Sequence, residues 1–142
     1  MKIAGTGPYS DYLKQIAKEC GVEKRVEFLG FVPDAELLDL YANAFCIPYT
    51  PLDEDLGYVS MESILSKKPI ITCTDSGGSL EFLENAVNGY VVEPSPEKIG
   101  ESVNRIFNEG SAKKMGEMGY KIFKNNLLSW DMVIKKLVEP IS

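Results

Sequence analysis

Two glutamates, Glu54 and Glu62, stand eight residues apart in the segment Asp53-Glu54-Asp55-Leu56-Gly57-Tyr58-Val59-Ser60-Met61-Glu62. The segment reads as the start of a helix, so a carboxylate just before the N-terminus and another about two turns in can face one pocket. The N–H groups of a first helical turn have no intrahelical partner and form an anion site. Carboxylates accept hydrogen bonds from hydroxyls, and beside amides that hold phosphate they suit a sugar nucleotide. Two other readings remain open at this point. Asp53-Glu54-Asp55 can form an acidic cluster that holds a diphosphate through Mg²⁺. It can equally serve the helix alone, with Asp55 as N-cap and its neighbours favoured by the macrodipole. Glu62 by itself is the kind of glutamate that helices expose to solvent, and its spacing from Glu54 is what distinguishes it.

A second candidate is Asp75-Ser76-Gly77-Gly78-Ser79-Leu80-Glu81, which follows an apolar run from Pro69 to Thr74. Loops after the strands of an open α/β sheet are where such folds place ligands, and paired glycines let backbone amides approach closely. The alternative is a strand-to-helix turn with Ser79 as N-cap. A weaker motif is Gly5-Thr6-Gly7-Pro8, which has two glycines of a dinucleotide turn but carries Ser10 where the third would fall. There a tight turn with Pro8 at the first helical position is the simpler reading. Tyr9, Tyr12, Tyr41 and the stripe Trp130, Val133, Ile134, Leu137 read as packing residues.

The elements that must position these groups alternate along the chain. Short strands are expected at Met1–Ala4, Val26–Leu29, Ala44–Tyr49, Pro69–Thr74 and Tyr90–Glu93. Helical patterns lie between them, one with Tyr12, Leu13, Ile16, Ala17 and Cys20 on one face before Gly21, another over Ala35–Asn43 with Leu37, Leu38 and Tyr41 inward. A helix over Gly57–Ser66 and a short one from Gly77 to Leu83 follow. From Ser95 onward the pattern is helical, near 96–108, 111–125 and 129–138. Alternation of this kind predicts parallel βαβ units, an α/β Rossmann-like open sheet flanked by helices with further helices at the C-terminus. With 142 residues, no internal repeat and no linker, residues 1–142 read as one domain.

Composition removes several function classes. At 44 % apolar and 25 % charged residues the chain has the make-up of a globular protein. Its net charge of −6 argues against a nucleic-acid or anionic-membrane surface. It has no histidine, so it cannot by itself build a Ser-His-Asp triad, a Cys-His pair or the usual histidine-bearing zinc sites. No apolar run reaches the roughly 18 residues of a membrane span. Cys20, Cys46 and Cys73 form no CxxC pair; the latter two fall in expected strands as small buried hydrophobes, which points to a reducing, cytoplasmic compartment.

Taken together, Ile3-Ala4-Gly5-Thr6-Gly7-Pro8, Val26-Glu27-Phe28-Leu29-Gly30-Phe31-Val32, the E-x7-E element Glu54 to Glu62, Lys68-Pro69-Ile70-Ile71, Gly77-Gly78-Ser79-Leu80-Glu81, Asn88-Gly89-Tyr90-Val91-Val92 and Ser129-Trp130 resemble the carboxy-terminal, donor-binding half of a family 4 (group 1) glycosyltransferase of GT-B architecture. The resemblance runs from Lys2 to about Trp130. It implies a retaining transfer of a sugar from a UDP-, GDP- or ADP-sugar to a glycan, lipid or other acceptor, without a bound metal or other cofactor. Glu54 would hold hydroxyls of the donor sugar and act at the catalytic centre, and Glu62 would hold the ribose. Leu56, Gly57, Tyr58 and Val59 would offer backbone amides to the sugar or diphosphate, and Phe31 and Val32 would meet the base through their backbone. Departures are Leu56 where the family has an aromatic, Ser63 for alanine, Lys67 for glycine and Leu80 for proline.

The resemblance also implies what lies outside this chain. The family's domain begins with another βα unit whose Arg and Lys neutralise the diphosphate, and it is preceded by an acceptor domain. This chain is therefore expected to be a fragment of a longer enzyme, inactive in transfer by itself. A stand-alone nucleotide-sugar-binding subunit that needs a partner chain is the alternative. Peripheral membrane association of the full enzyme is compatible with either.

Overall fold

The computed structural model describes residues 1–125 together with Ile134, Leu137 and Val138. The expected helix at 129–138 lies largely outside the described residues, as do Trp130 and Val133 of the apolar stripe. The chain falls into two compact units, Met1–Ala42 and Asn43–Ser142.

In the first unit, β1 (Lys2–Ala4) pairs in parallel with β2 (Glu27–Gly30), with an irregularity between Ile3 and Ala4. The Gly5 amide closes the end of this pair by donating to the Gly30 carbonyl at 2.8 Å. The Gly5–Pro8 segment is thus shaped by the strand end. Helix α1 (Ser10–Glu19) starts at Tyr9 without a side-chain cap, so Pro8 lies in the preceding turn and not at the first helical position. Of the face expected to be buried on α1, only Ala17 is; Tyr12 and Leu13 are exposed, and Tyr9 meets Tyr12 edge-on with centroids 6.5 Å apart. These two tyrosines pack on each other and not in a core. On α2 (Asp34–Asn43), Tyr41 is buried as expected, whereas Leu38 points to solvent.

The second unit holds three parallel strands in the order β3-β4-β5: Ile47–Pro48, Ile70–Cys73 and Gly89–Val92. Central β4 is buried at every position, which is why it reads as a continuous apolar run and not as an alternation. Strand β3 is shorter than its apolar run. Phe45 is exposed and pairs edge-on with Phe107, so only Ile47 and Pro48 pair with β4. Helix α3 (Tyr58–Leu65) packs on β4, α4 (Pro96–Glu109) on β4 and β5, and α5 (Ala112–Asn125) on α3 and β5. The core is Ile71, Tyr90, Ile106 and Met115, flanked by Cys46, Val92, Ile99, Val103 and Ala112.

Local chemistry sets the ends of these helices. Ser95 caps α4 by accepting from the Lys98 amide, with Pro96 in the first turn, and left-handed Gly110 stops it. Helix α3 ends at Ser66, followed by Lys67 in the left-handed region at φ 57°. That is the position helices fill with glycine, which gives the lysine-for-glycine departure a definite backbone cost. The α/β class and the parallel connections agree with the sequence reading.

Candidate functional site

The carboxyl ends of β3 and β4 carry the chemistry-bearing loops. After β3 the chain is held in register by two bonds: the Tyr49 amide donates to the Ile71 carbonyl at 2.9 Å, and the buried Thr72 hydroxyl donates to the Tyr49 carbonyl at 2.7 Å. It then turns through Thr50-Pro51-Leu52 to Asp53, whose φ is 50°, and reaches Glu54. After β4, the Cys73 amide donates to the Ser76 hydroxyl, which turns the chain toward Gly77-Gly78.

These two loops are joined backbone to backbone. The Asp53 amide donates to the Asp75 carbonyl at 2.9 Å, the Gly78 amide donates to the Glu54 carbonyl at 2.6 Å, and Glu54 and Gly77 form an isolated parallel bridge. Two of the sequence motifs therefore meet. The paired glycines serve this junction: a Cβ on Gly77 would lie 2.5 Å from the Glu54 carbonyl oxygen and 2.7 Å from its nitrogen, and a Cβ on Gly78 would overlap the Asp55 carbonyl. Their close backbone approach is to the Glu54 loop. Ser79 is likewise not an N-cap; Gly77 takes that place for the short 3-10 helix Gly78–Phe82, and the Ser79 side chain is buried against Gly57.

Glu54 is half-buried, and the Tyr49 hydroxyl donates to its Oε2 at 3.1 Å. Burial, and then the hydrogen bond and charge of Glu54, raise the Tyr49 pKa, which keeps the phenol protonated as a donor. The next residue, Asp55, does not cap α3. Gly57 does so from the left-handed region at φ 71°, without a side-chain cap and with no acidic residue in the first turn. Capping thus does not account for Asp53-Glu54-Asp55. Nor, among the described residues, do three His, Cys, Asp or Glu side chains converge in a metal-holding group.

Helix α3 presents its N-terminus beside Glu54 in the chain. The Gly57 carbonyl accepts from the amides of Ser60 and Met61, and helical geometry leaves the Tyr58 and Val59 amides as first-turn donors. Tyr58 is 68 % exposed, Leu56 is exposed and Val59 half-buried, so the segment Leu56–Val59 borders solvent on one side of buried Gly57. Glu62 lies on the same helix, exposed and one turn beyond Tyr58, so the two share a face. Ser63 is fully buried, and its hydroxyl is satisfied by the Val59 carbonyl at 2.6 Å. Its replacement of alanine therefore leaves no unmet polar group. Phe31 and Val32 belong to the first unit, between β2 and α2, where Phe31 is 78 % exposed.

A cleft of about 240 Å³ opens at the carboxyl ends of the three strands, lined by Thr50, Leu52, Cys73, Asp75, Ser95 and Ile99 among others. Glu54 is not one of its walls. Cys73 is buried, and its thiol is pushed up by burial and by Asp75 and Glu93; Cys46 is half-buried and raised by desolvation to about 11. Tyr49 was not identifiable as a site residue from sequence, since nothing in its spacing distinguishes it from a strand-end tyrosine. Ser60 gave no sequence signal either, and Ser79 read only as part of its motif and as an N-cap; the hydroxyls of both are buried without a hydrogen-bond partner among the described residues.

Residues 1–122 match the family model for glycosyl transferases group 1. An uncharacterized glycosyltransferase of Methanocaldococcus jannaschii, MJ1607, is 31 % identical over 137 residues, 96 % of this chain and 35 % of that protein. The alpha-1,3/1,6-mannosyltransferase ALG2 of Dictyostelium discoideum is 33 % identical over 135 residues, 88 % of this chain and 31 % of its own length. The chain thus spans about a third of these relatives. Among solved structures, Anabaena HepE in complex with UDP-glucose superposes with a TM-score of 0.79 at 23 % identity, over 96 % of this chain and 40 % of that one. WaaG, a glycosyltransferase involved in lipopolysaccharide biosynthesis, gives 0.76 at 20 %, covering 95 % and 36 %.

Proposed function

The chain belongs to the group 1 glycosyltransferases, and from that premise we propose that residues 1–142 form the nucleotide-sugar-binding domain of a retaining enzyme that transfers a sugar to a glycan, lipid or other acceptor. The observation that carries this reading is the junction of Glu54 with Gly77-Gly78 directly ahead of the α3 N-terminus, which holds a carboxylate and helix amides in one short segment. Glu54 accepts hydrogen bonds from hydroxyls of the donor sugar. The Leu56–Val59 amides meet the sugar or diphosphate, and Glu62 holds the ribose.

Catalysis in this reading is positioning together with stabilisation of the charge that develops on the departing diphosphate. Residues Asp53 to Val59 include no basic side chain, so the cations that balance this charge come from elsewhere in the protein. No metal or other cofactor is required, and the enzyme works in the cytoplasm. The UDP-glucose held by HepE supports a uridine donor among the UDP-, GDP- and ADP-sugars. A second reading is a binding subunit that needs a partner chain, favoured by the 26 % identity to the GPI3 subunit of a phosphatidylinositol N-acetylglucosaminyltransferase from Saccharomyces cerevisiae. Transfer activity reconstituted only on adding a partner would support it.

The test is calorimetric titration with UDP, GDP, ADP and their sugar conjugates, with Glu54→Ala and Glu62→Ala beside the parent. Saturable binding that Glu62→Ala weakens for every ligand, and that Glu54→Ala weakens only for the conjugates, is expected. No binding by the folded protein would refute the proposal.

A further inference from the structure

Glu54 has three rotatable side-chain bonds and, half-buried at a loop, would sample several rotamers unless something held it. Its backbone is already fixed by the Gly78 amide at 2.6 Å and by the bridge to Gly77. Its carboxylate accepts a hydrogen bond from the Tyr49 hydroxyl, at 3.1 Å on Oε2. Tyr49 is in turn tied to β4 on both sides of its peptide, through the Ile71 carbonyl and the Thr72 hydroxyl, and Ile71 and Thr72 are themselves fully buried. A rigid aromatic ring on the strand end thus reaches across the turn from Thr50 to Asp53 and grips the carboxylate. An ionised carboxylate has about four lone-pair sites, so engagement of Oε2 leaves Oε1 to accept from a second donor.

We propose that Tyr49 is a positioning residue of the donor site: its hydroxyl holds Glu54 Oε2 and thereby aims Oε1 at a hydroxyl of the bound sugar. The role of Tyr49 is to discriminate a sugar nucleotide from the free nucleotide, not to bind the nucleotide. A phenol suits this task because it donates a single hydrogen bond from a side chain with few rotamers. Its raised pKa, caused by burial first and then by Glu54, keeps that proton in place across the neutral range. The proposal rests on Glu54 as the sugar-facing carboxylate.

The experiment is a double-mutant cycle over Tyr49→Phe and Glu54→Ala, with affinities for UDP against UDP-glucose and GDP against GDP-mannose measured by calorimetry and urea unfolding followed in parallel. Phenylalanine retains the ring and removes only the donor. Expected for Tyr49→Phe is a loss of about five- to tenfold in sugar-nucleotide affinity, the scale of one hydrogen bond to a charged group acting indirectly, with the free nucleotide unchanged. In the Glu54→Ala background Tyr49→Phe should add nothing. Equal losses for nucleotide and conjugate, tracking a lower unfolding midpoint, would reduce Tyr49 to a structural residue and overturn the proposal. Unchanged discrimination in Tyr49→Phe, where Glu54→Ala abolishes it, would overturn the role of Tyr49 alone. If Glu54→Ala itself leaves discrimination intact, the assignment of Glu54 fails and that of Tyr49 with it.

Discussion

Replacing Gly77 by alanine should break the junction on which the candidate site depends, and the structure allows the size of the effect to be worked out. Gly77 has φ 62° and ψ −135°, a combination that L-residues with a Cβ adopt only under strain. Holding alanine there costs about 1–3 kcal/mol. The new Cβ would also sit 2.5 Å from the Glu54 carbonyl oxygen and 2.7 Å from its nitrogen. Both neighbours are backbone atoms, so no rotamer change relieves the overlap and the Glu54 loop must move. That displaces the Gly78 to Glu54 hydrogen bond, worth about 0.5–1.5 kcal/mol net. The expected destabilisation is about 2–4 kcal/mol, accompanied by loss of sugar-nucleotide binding.

Gly100 supplies a matched control. It lies inside α4, and a Cβ there meets nothing within 4 Å. Gly100→Ala should therefore stabilise the protein by about 0.5–1 kcal/mol, through helix propensity and a less flexible unfolded chain. The two alanine substitutions are chemically identical and should move the urea midpoint in opposite directions, about 2.5–5 kcal/mol apart when converted with a common m-value. Equal effects, or a Gly77→Ala protein with parental stability and binding, would refute the backbone-junction account of the paired glycines.

Lys67→Gly should relieve the left-handed strain at φ 57°, a gain of about 1–2 kcal/mol, but it removes the lysine ammonium from its place 5.0 Å over the Tyr120 ring. That contact is worth about 0.5–1 kcal/mol at an exposed site, so a net gain of at most about 1.5 kcal/mol is expected, and a clear loss in urea unfolding would contradict it. Gly116→Ala on α5 should be strongly destabilising, because the added methyl overlaps the Lys67 carbonyl; an unfolding midpoint within error of the parent would show that α5 can shift away at no cost. With the Cys46 thiol held at about 11 against 9 when unfolded, the unfolded chain sheds this proton first as pH rises, so stability falls between pH 9 and 11. Cys46→Ala should flatten that limb in urea melts across the same range, and an unchanged slope would count against the shift. Adding EDTA should leave donor binding unaltered, and a large loss in the titration would revive the acidic cluster as a cation site.

Much of the fold was written in local pattern. The fully apolar Pro69–Thr74 run, Gly110 after one helical stretch and the Ser95-Pro96 start announce β4 and α4, because burial, capping and φ preference are properties of a few adjacent residues. Sequence also located the segment Glu54 to Glu62, since spacing along one helix and its approach is set by chain geometry alone. It overestimated the burial of α1 and the length of β3, because an amphipathic pattern cannot say whether a partner covers it; Tyr12, Leu13 and Phe45 are exposed. The Asp55 cap failed for a related reason. Several residues near a helix start are competent to cap it, and the left-handed turn at Gly57 decided which one does. What only the tertiary structure decided is the joining of two loops some twenty residues apart. Gly77 and Gly78 are glycines because the Glu54 backbone lies against them, and Tyr49 meets Glu54 because β3 and β4 are in register. Contacts of that kind depend on which strands pair, a long-range choice that no local window of residue types contains.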